Sequence, residues 1–276
     1  MTTNVAIAEP NIARPAYRPA RFGDVLRSEW TKARTVPSTL RTLGVAAVLG
    51  IGLGALLSAV AAHHYAGSPA SARLTWDPTA ASLNGLALAQ LAIGVLGVLL
   101  ITSEYSTGAI GSTLAAVPRR RRLLAGKSVV VLGIAFVFTE IIMFAAFFIG
   151  QALISGHAPT ATLGQPDVLR ALIGCGLYAA LIGLLALALG TILRSAAGGI
   201  TVLVALLFVL PGIASALPTS VEHTVEKFWP TQAGQQVGSV VRGAHQLSPW
   251  AGFGVLCIFV AIVCAAALVT LTRRDA

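Results

Sequence analysis

Six stretches of this chain are apolar for long enough to cross a hydrocarbon core about 30 Å thick as helices. They run roughly from Leu40 to Ala62, Leu83 to Thr102, Ser128 to Ile154, Ala171 to Leu193, Ala197 to Leu217 and Ala251 to Thr272. One globular core could not hide that much apolar surface. Charged residues make up 11% of the 276 positions, against about 25% in a soluble domain. Helices satisfy their backbone polar groups internally, which lipid cannot do for them. The sequence therefore predicts an all-α, polytopic membrane protein with six transmembrane helices.

The basic residues set the expected orientation. With the N-terminus inside, the inner side carries Arg14, Arg18, Arg21, Arg27, Lys32, Arg34, Arg41, Arg119 to Arg122, Lys127, Arg194, Arg273 and Arg274. Only Arg73, Arg170, Lys227 and Arg242 fall outside. This excess on one side is the positive-inside pattern, so both termini are expected in the cytoplasm and the chain in the plasma membrane. The net charge of +9 then belongs to loops facing anionic headgroups, and no nucleic-acid partner is expected.

Two motifs invite a catalytic reading and fail it. RRLLAGKS (121–128) ends like a phosphate-binding loop, but Arg121 stands where the first glycine of GxxxxGK[ST] is needed, and a membrane span follows. Lys127 reads instead as an interfacial anchor of the third span. Cys175, Cys257 and Cys264 lie in apolar segments without metal-ligand spacing. The five histidines are adjacent or dispersed, and no metal site or catalytic triad is expected from them.

Residues 1–20, with Pro10, Pro15 and Pro19, read as a flexible cytoplasmic tail, leaving 21–276 as one six-helix domain. Residues 21–37 read as an interfacial helix. Phe22, Val25, Leu26, Trp30 and Ala33 share its apolar face, with Asp24, Arg27, Ser28, Thr31, Lys32 and Arg34 opposite. Trp30 and Arg34 are its expected headgroup-level anchors. In the loop 103–127, Ile110, Leu114 and Val117 form a short apolar stripe, Ser106 or Thr107 can cap it, and Pro118 stops it. That stripe suits a helix lying on the membrane or one docking a partner.

Inside the membrane, Glu140 and Gln151 are eleven residues apart in the third span, nearly on one face. An ionisable group at such depth is either a proton or substrate site or a protonated tie between helices. Gly50 and Gly54, and the heptad-spaced Gly176, Gly183 and Gly190, mark close packing faces. Pro211 and Gly212 predict a kink.

Three segments carry a family resemblance: SEWTKARTVPSTLRTL before the first span, EYSTGAIGSTLAAVPRRRRLLAGK after the second, and KFWPTQAG (227–234) in the last external loop. They resemble permeases of ABC transporters of the type-2 exporter class, the actinobacterial ones especially. The resemblance implies a half-transporter. This chain and a second permease copy, identical or different, would sit on separate ABC ATP-binding subunits that hold ATP and Mg, while this chain binds no cofactor and is no enzyme. The loop 103–127 would carry a cytoplasmic coupling helix, with the ATPase contact on Glu104, Tyr105, Thr107, Gly108, Ile110 and Leu114. Gly111 departs from the basic residue many relatives carry there. Residues 218–250 would dip back into the membrane as short helices, where the residues alone equally suit an interfacial helix. The cargo implied is a hydrophobic or amphipathic small molecule or lipid moved outward. A proton-coupled secondary transporter using Glu140 and a non-transporting immunity or adaptor protein are the alternatives.

Overall fold

The computed structural model describes residues 21–116, 119–214, 216, 218–241, 243 and 246–273. The expected tail 1–20, and Val117 and Pro118 of the predicted stripe and stop, lie outside the described residues. Among the described residues every regular element is helical, and six helical runs are long and apolar enough to span a membrane.

The chain begins with α1 (Phe22–Thr35), then turns at Val36 into α2 (Pro37–Tyr65), the first span, with Pro37 in the first turn where its missing N–H is harmless. A short α3 (Ala70–Leu74) leads to the second span, which is built in two pieces, α4 (Pro78–Leu83) and α5 (Leu86–Ser106). Asp77 caps α4 by accepting from the Ala80 N–H at 2.9 Å. At the break, Asn84 and Gly85, the absence of a side chain on Gly85 allows a close approach of α2, since a Cβ there would collide with the Gly50 carbonyl.

After α6 (Ala109–Ala116), α7 (Arg120–Ile154) forms the third span and α8 (Val168–Leu193) the fourth. The fifth comprises α9 (Ala196–Val204), a π-helical segment Ala205–Val209 and α10 (Leu210–Ala214). Next come α11 (Thr219–Phe228), α12 (Pro230–Gln235) with a 3₁₀ turn Gln236–Gly238, and the last span, α13 (Pro249–Arg273).

Helix α8 is the axis of the bundle. It packs on α5, α7, α9 and α13, and its residues from Tyr178 to Leu189 are almost all buried. The heptad glycines face these neighbours: side chains at Gly176, Gly183 and Gly190 would meet α7 at Glu140, α7 and α5 at Val131 and Ile93, and α5 at Ile101. The Gly50 and Gly54 pair likewise packs inside the chain, against Ile142, Ala89 and Ser82. One polar tie sits in this core, where Tyr178 donates its hydroxyl to Gln90 Oε1 at 2.7 Å. In lipid such bonds supplement van der Waals packing between helices.

The expected bend in the fifth span takes the form of the π segment. The Leu210 N–H reaches back five residues to the Ala205 carbonyl. The next residue, Pro211, has no N–H to continue that pattern onto Leu206. The Leu206 carbonyl instead accepts from Trp229 Nε1 at 2.9 Å and Thr231 Oγ1 at 3.2 Å, at the α11–α12 junction. Thus KFWPTQAG is drawn against the bundle. Thr231, Ala233 and Val237 are buried, with Gly252 of α13 approaching the Ala233 carbonyl and Gly174 of α8 approaching that of Val237. Arg170 donates to the Val237 and Ser239 carbonyls at 2.9 and 2.8 Å, satisfying the end of the 3₁₀ turn. The sequence break expected at Pro230 is present, and the segment behind it is packed between α8 and α13.

Candidate functional site: a buried charge cluster beside a short helix

Four alternating charges meet where α1, α5 and α7 converge. Lys127 Nζ lies 2.7 Å from Glu29 Oε2 and 2.7 Å from Glu104 Oε1. Lys32 Nζ lies 2.9 Å from Glu29 Oε1 and 2.9 Å from the same Glu104 oxygen. Lys127 is only 3% exposed, and both glutamates are buried. Taking such groups out of water costs several kcal/mol per ion, offset only when each charge is paired and hydrogen-bonded. The cluster is neutral overall, and every charged side chain in it touches two of opposite sign.

The helices place these groups by spacing. Val25, Glu29 and Ala33 recur every four residues and form the buried stripe of α1, packed on α7. Gly126 of α7 allows this approach, since a side chain there would run into Val25. Glu29 is therefore the polar member of an otherwise apolar stripe, and Lys32 follows one turn later. Burial of Lys32 alone would lower its pKa, but the hydrogen bonds and charges of Glu104 and Glu29 outweigh it and hold the ammonium above the usual lysine value.

Two expectations change here. Lys127 is not an anchor reaching for headgroups but the buried centre of the cluster. The inward face of α1 is Val25, Glu29 and Ala33, while Phe22 and Trp30 of the predicted apolar face are exposed. Glu29 belongs to neither of the two faces read from the sequence. Its place between Val25 and Ala33 at intervals of four was the available signal.

Helix α6 hangs beside this cluster. Gly108 takes a left-handed φ of +70°, which turns the chain sharply out of α5. The Ser106 and Thr107 hydroxyls do not cap α6; both donate back to the Ser103 carbonyl of α5, at 3.0 and 2.8 Å. Ile110 is 6% exposed and belongs to an apolar cluster that also takes in Ile101 of α5, Leu123 and Leu124 of α7, Leu187 of α8 and Leu271 of α13, with α6 packed chiefly on α5. Tyr105 packs on the same cluster, and the Arg194 guanidinium lies 5.4 Å from its ring centroid. Arg194 adopts a left-handed φ of +52° at the α8–α9 corner. A cavity of about 320 Å³ opens between the charges and α6, lined by Thr42, Leu96, Ser103, Glu104 and Thr113 among others.

The predicted contact residues therefore divide. Thr107 and Gly108 are exposed, as is the neighbouring Gly111, whereas Tyr105 is partly buried against the apolar cluster. Glu104 is occupied by two lysines, and Ile110 faces the chain's own core, which revises their expected availability to a partner. The backbone of Leu114 is in α6, and its side chain lies outside the described set.

The membrane-interior pair also separates. Gln151 donates to the Pro78 carbonyl at 2.8 Å and to Ser82 Oγ at 2.9 Å, and its Oε1 accepts from the Ala161 N–H at 2.7 Å. Every lone pair and proton it is using holds α4 and the 155–167 loop to α7, so it is a structural tie rather than part of a path. Glu140 lies across from Gly176 of α8, and its Oε1 is buried without a hydrogen-bond partner. Trp30 and Arg34 are both exposed at the α1–α2 elbow. Among the described residues no group of His, Cys, Asp and Glu could hold a metal ion.

Six helices long and apolar enough to cross a membrane, with a short helix on the loop at one end, are the architecture of a multi-pass membrane protein, and comparison with known families says which kind. The model of the ABC-2 family transporter protein matches residues 25–225, from α1 into α11. The chain belongs to this ABC-2 family and is the membrane permease subunit of an ABC transporter, a class that works with an ATP-binding partner. No curated protein matches it.

Proposed function

We propose that this permease, paired with a second permease copy and driven by a separate ATP-binding subunit carrying ATP and Mg, exports a hydrophobic or amphipathic compound or lipid across the plasma membrane. Helix α6 is the coupling helix in this reading, and both termini lie in the cytoplasm with it. The carrying observation is the seat of α6. Its outer surface, Thr107, Gly108 and Gly111, is open, while Ile110 joins it to α5 within an apolar cluster that continues into α7, α8 and α13. A push on the outer surface would be passed to four spans, and through the charge cluster to α1.

The test uses the outer surface. No atom lies within 4 Å of a side chain added at Gly111, so Thr107→Glu with Gly111→Glu leaves the bundle folded. The pair is expected to abolish copurification of the ATPase. Undiminished association would overturn the coupling assignment. Labelling of Gly111→Cys by an impermeant thiol reagent on intact cells would overturn the orientation.

A second reading rests on Glu140, whose unpartnered oxygen suits a proton or a substrate donor. It requires transport driven by a pH gradient without nucleotide, lost in Glu140→Gln. Nucleotide-dependent transport that survives this change would remove it.

A further inference from the structure

A second cavity lies beside the α1–α2 elbow and is lined by none of the four clustered charges. It measures about 370 Å³ and is walled by Leu40 and Leu43 of α2 and Gly133, Ile134, Val137 and Phe138 of α7. Its mouth carries Trp30 and Arg34 of α1. We propose that this groove is a binding site for one anionic phospholipid, with an acyl chain between α2 and α7 and the phosphate on Arg34. The inference does not depend on the coupling role of α6.

Four observations carry it. First, the walls belong to two membrane-spanning helices and face outward: Leu40 and Val137 are 61% and 55% exposed. Apolar surface at that position is in contact with hydrocarbon. Second, the groove exists because Gly133 lacks a side chain. Gly50 and Gly54 are needed for contact with other helices, whereas a side chain at Gly133 would meet nothing within 4 Å and would simply project into open space. Third, the space is a cleft of about 370 Å³ between the apolar faces of α2 and α7, a shape that a flexible alkyl chain can follow.

The fourth observation is charge. At this end of the bundle the acidic residues are already committed: Glu29 and Glu104 to Lys32 and Lys127, and Asp24 to the Arg21 N–H at 2.9 Å. Among the described residues Arg34 makes no ion pair, and exposed Arg27 and Arg41 flank it along the chain. An external anion is what completes this mouth. The guanidinium fork matches phosphate oxygens, and the choline of a zwitterionic lipid would bring a cation among arginines. Exposed Trp30 beside it is of the residue type enriched at headgroup level.

The experiment takes the full chain from vesicles of equimolar phosphatidylglycerol and phosphatidylcholine and counts retained lipids by native mass spectrometry. Wild type is expected to keep phosphatidylglycerol over phosphatidylcholine by about fivefold, the preference expected of one arginine near a membrane surface. Arg34→Gln should bring that ratio close to one. Gly133→Leu should remove the retained lipid whatever its headgroup, with the melting temperature unchanged. A preference that survives Arg34→Gln, or a lipid that survives Gly133→Leu, overturns the proposal. Phosphatidylglycerol bearing a photoreactive acyl chain gives an assay on unmodified protein: cross-links to residues 30–43 and 133–138 support the site. Cross-links only elsewhere, or a disulfide between copies through Val137→Cys in place of lipid labelling, overturn it.

Discussion

Lys127 Nζ and Glu29 Oε2 stand 2.7 Å apart with both side chains buried, although 98 residues of chain separate them. This contact joins the first helix of the described chain to the third span. Glu104 joins the second span to both through the same lysine.

Removing Lys127 should therefore be costly. Lys127→Met leaves two buried carboxylates facing Lys32 alone, and loss of one partner from a buried pair typically costs about 3–5 kcal/mol. Thermal unfolding in detergent should show a lower transition for Lys127→Met. Combining it with Glu29→Gln should recover part of the loss. Additive losses in the double variant would mean that the two groups are not energetically coupled.

Alkaline pH should erode the same cluster from the Lys32 side. The folded-state pKa of Lys32 is raised above the unfolded value. Its contribution is thus fully present below the unfolded pKa and is lost as pH rises through the folded one. The groups facing it are Glu29 on its own helix and Glu104 on α5, with Lys127 of α7 behind them. The melting-temperature difference between wild type and Lys32→Met should hold steady from neutrality to mildly alkaline pH. It should then shrink above the ordinary lysine range. A difference that grows with pH would contradict the assignment.

The Leu206 carbonyl offers a cycle. Trp229→Phe removes one of the two hydrogen bonds to a carbonyl that Pro211 leaves unserved, a loss of about 0.5–1.5 kcal/mol while Thr231 still donates. In a Pro211→Ala background the restored N–H can serve Leu206, so the cost of Trp229→Phe should fall. Equal costs in both backgrounds, measured by chemical or thermal unfolding, would show that Trp229 acts through packing alone.

Gly108→Ala should cost about 1–2 kcal/mol, the penalty of a left-handed backbone for a residue with a Cβ. No atom lies within 4 Å of that position, so no clash adds to it. The readout is the melting temperature against Gly111→Ala, which has equal space but no positive φ and should match or exceed wild type.

The six spans were legible in the sequence because lipid imposes a minimum length of apolar helix. The break at Trp229 and Pro230 was also legible, since proline signals it locally. Packing direction was not. Ile110, Leu114 and Val117 define a stripe, but nothing local says whether it faces a partner or the parent bundle, and Ile110 turned inward. Lys127 at a span boundary has the composition of a headgroup anchor; only contact with Glu29 and Glu104, both distant in sequence, makes it a core residue. Gln151 showed polarity at depth without showing that three bonds already engage both its N–H groups and its oxygen. The π segment was foreshadowed by Pro211, but the donors that serve its Leu206 carbonyl lie more than twenty residues downstream.

Proline at 211 has one more effect, on what can slide past what. The oxygen it strands is held from the neighbouring segment by an indole and a threonine. Any stroke that pulled the fifth span away from residues 229–231 would leave a naked acceptor in an oily surrounding. Those two parts should travel as one piece during turnover, with displacement taken up elsewhere, at joints such as the Arg194 corner.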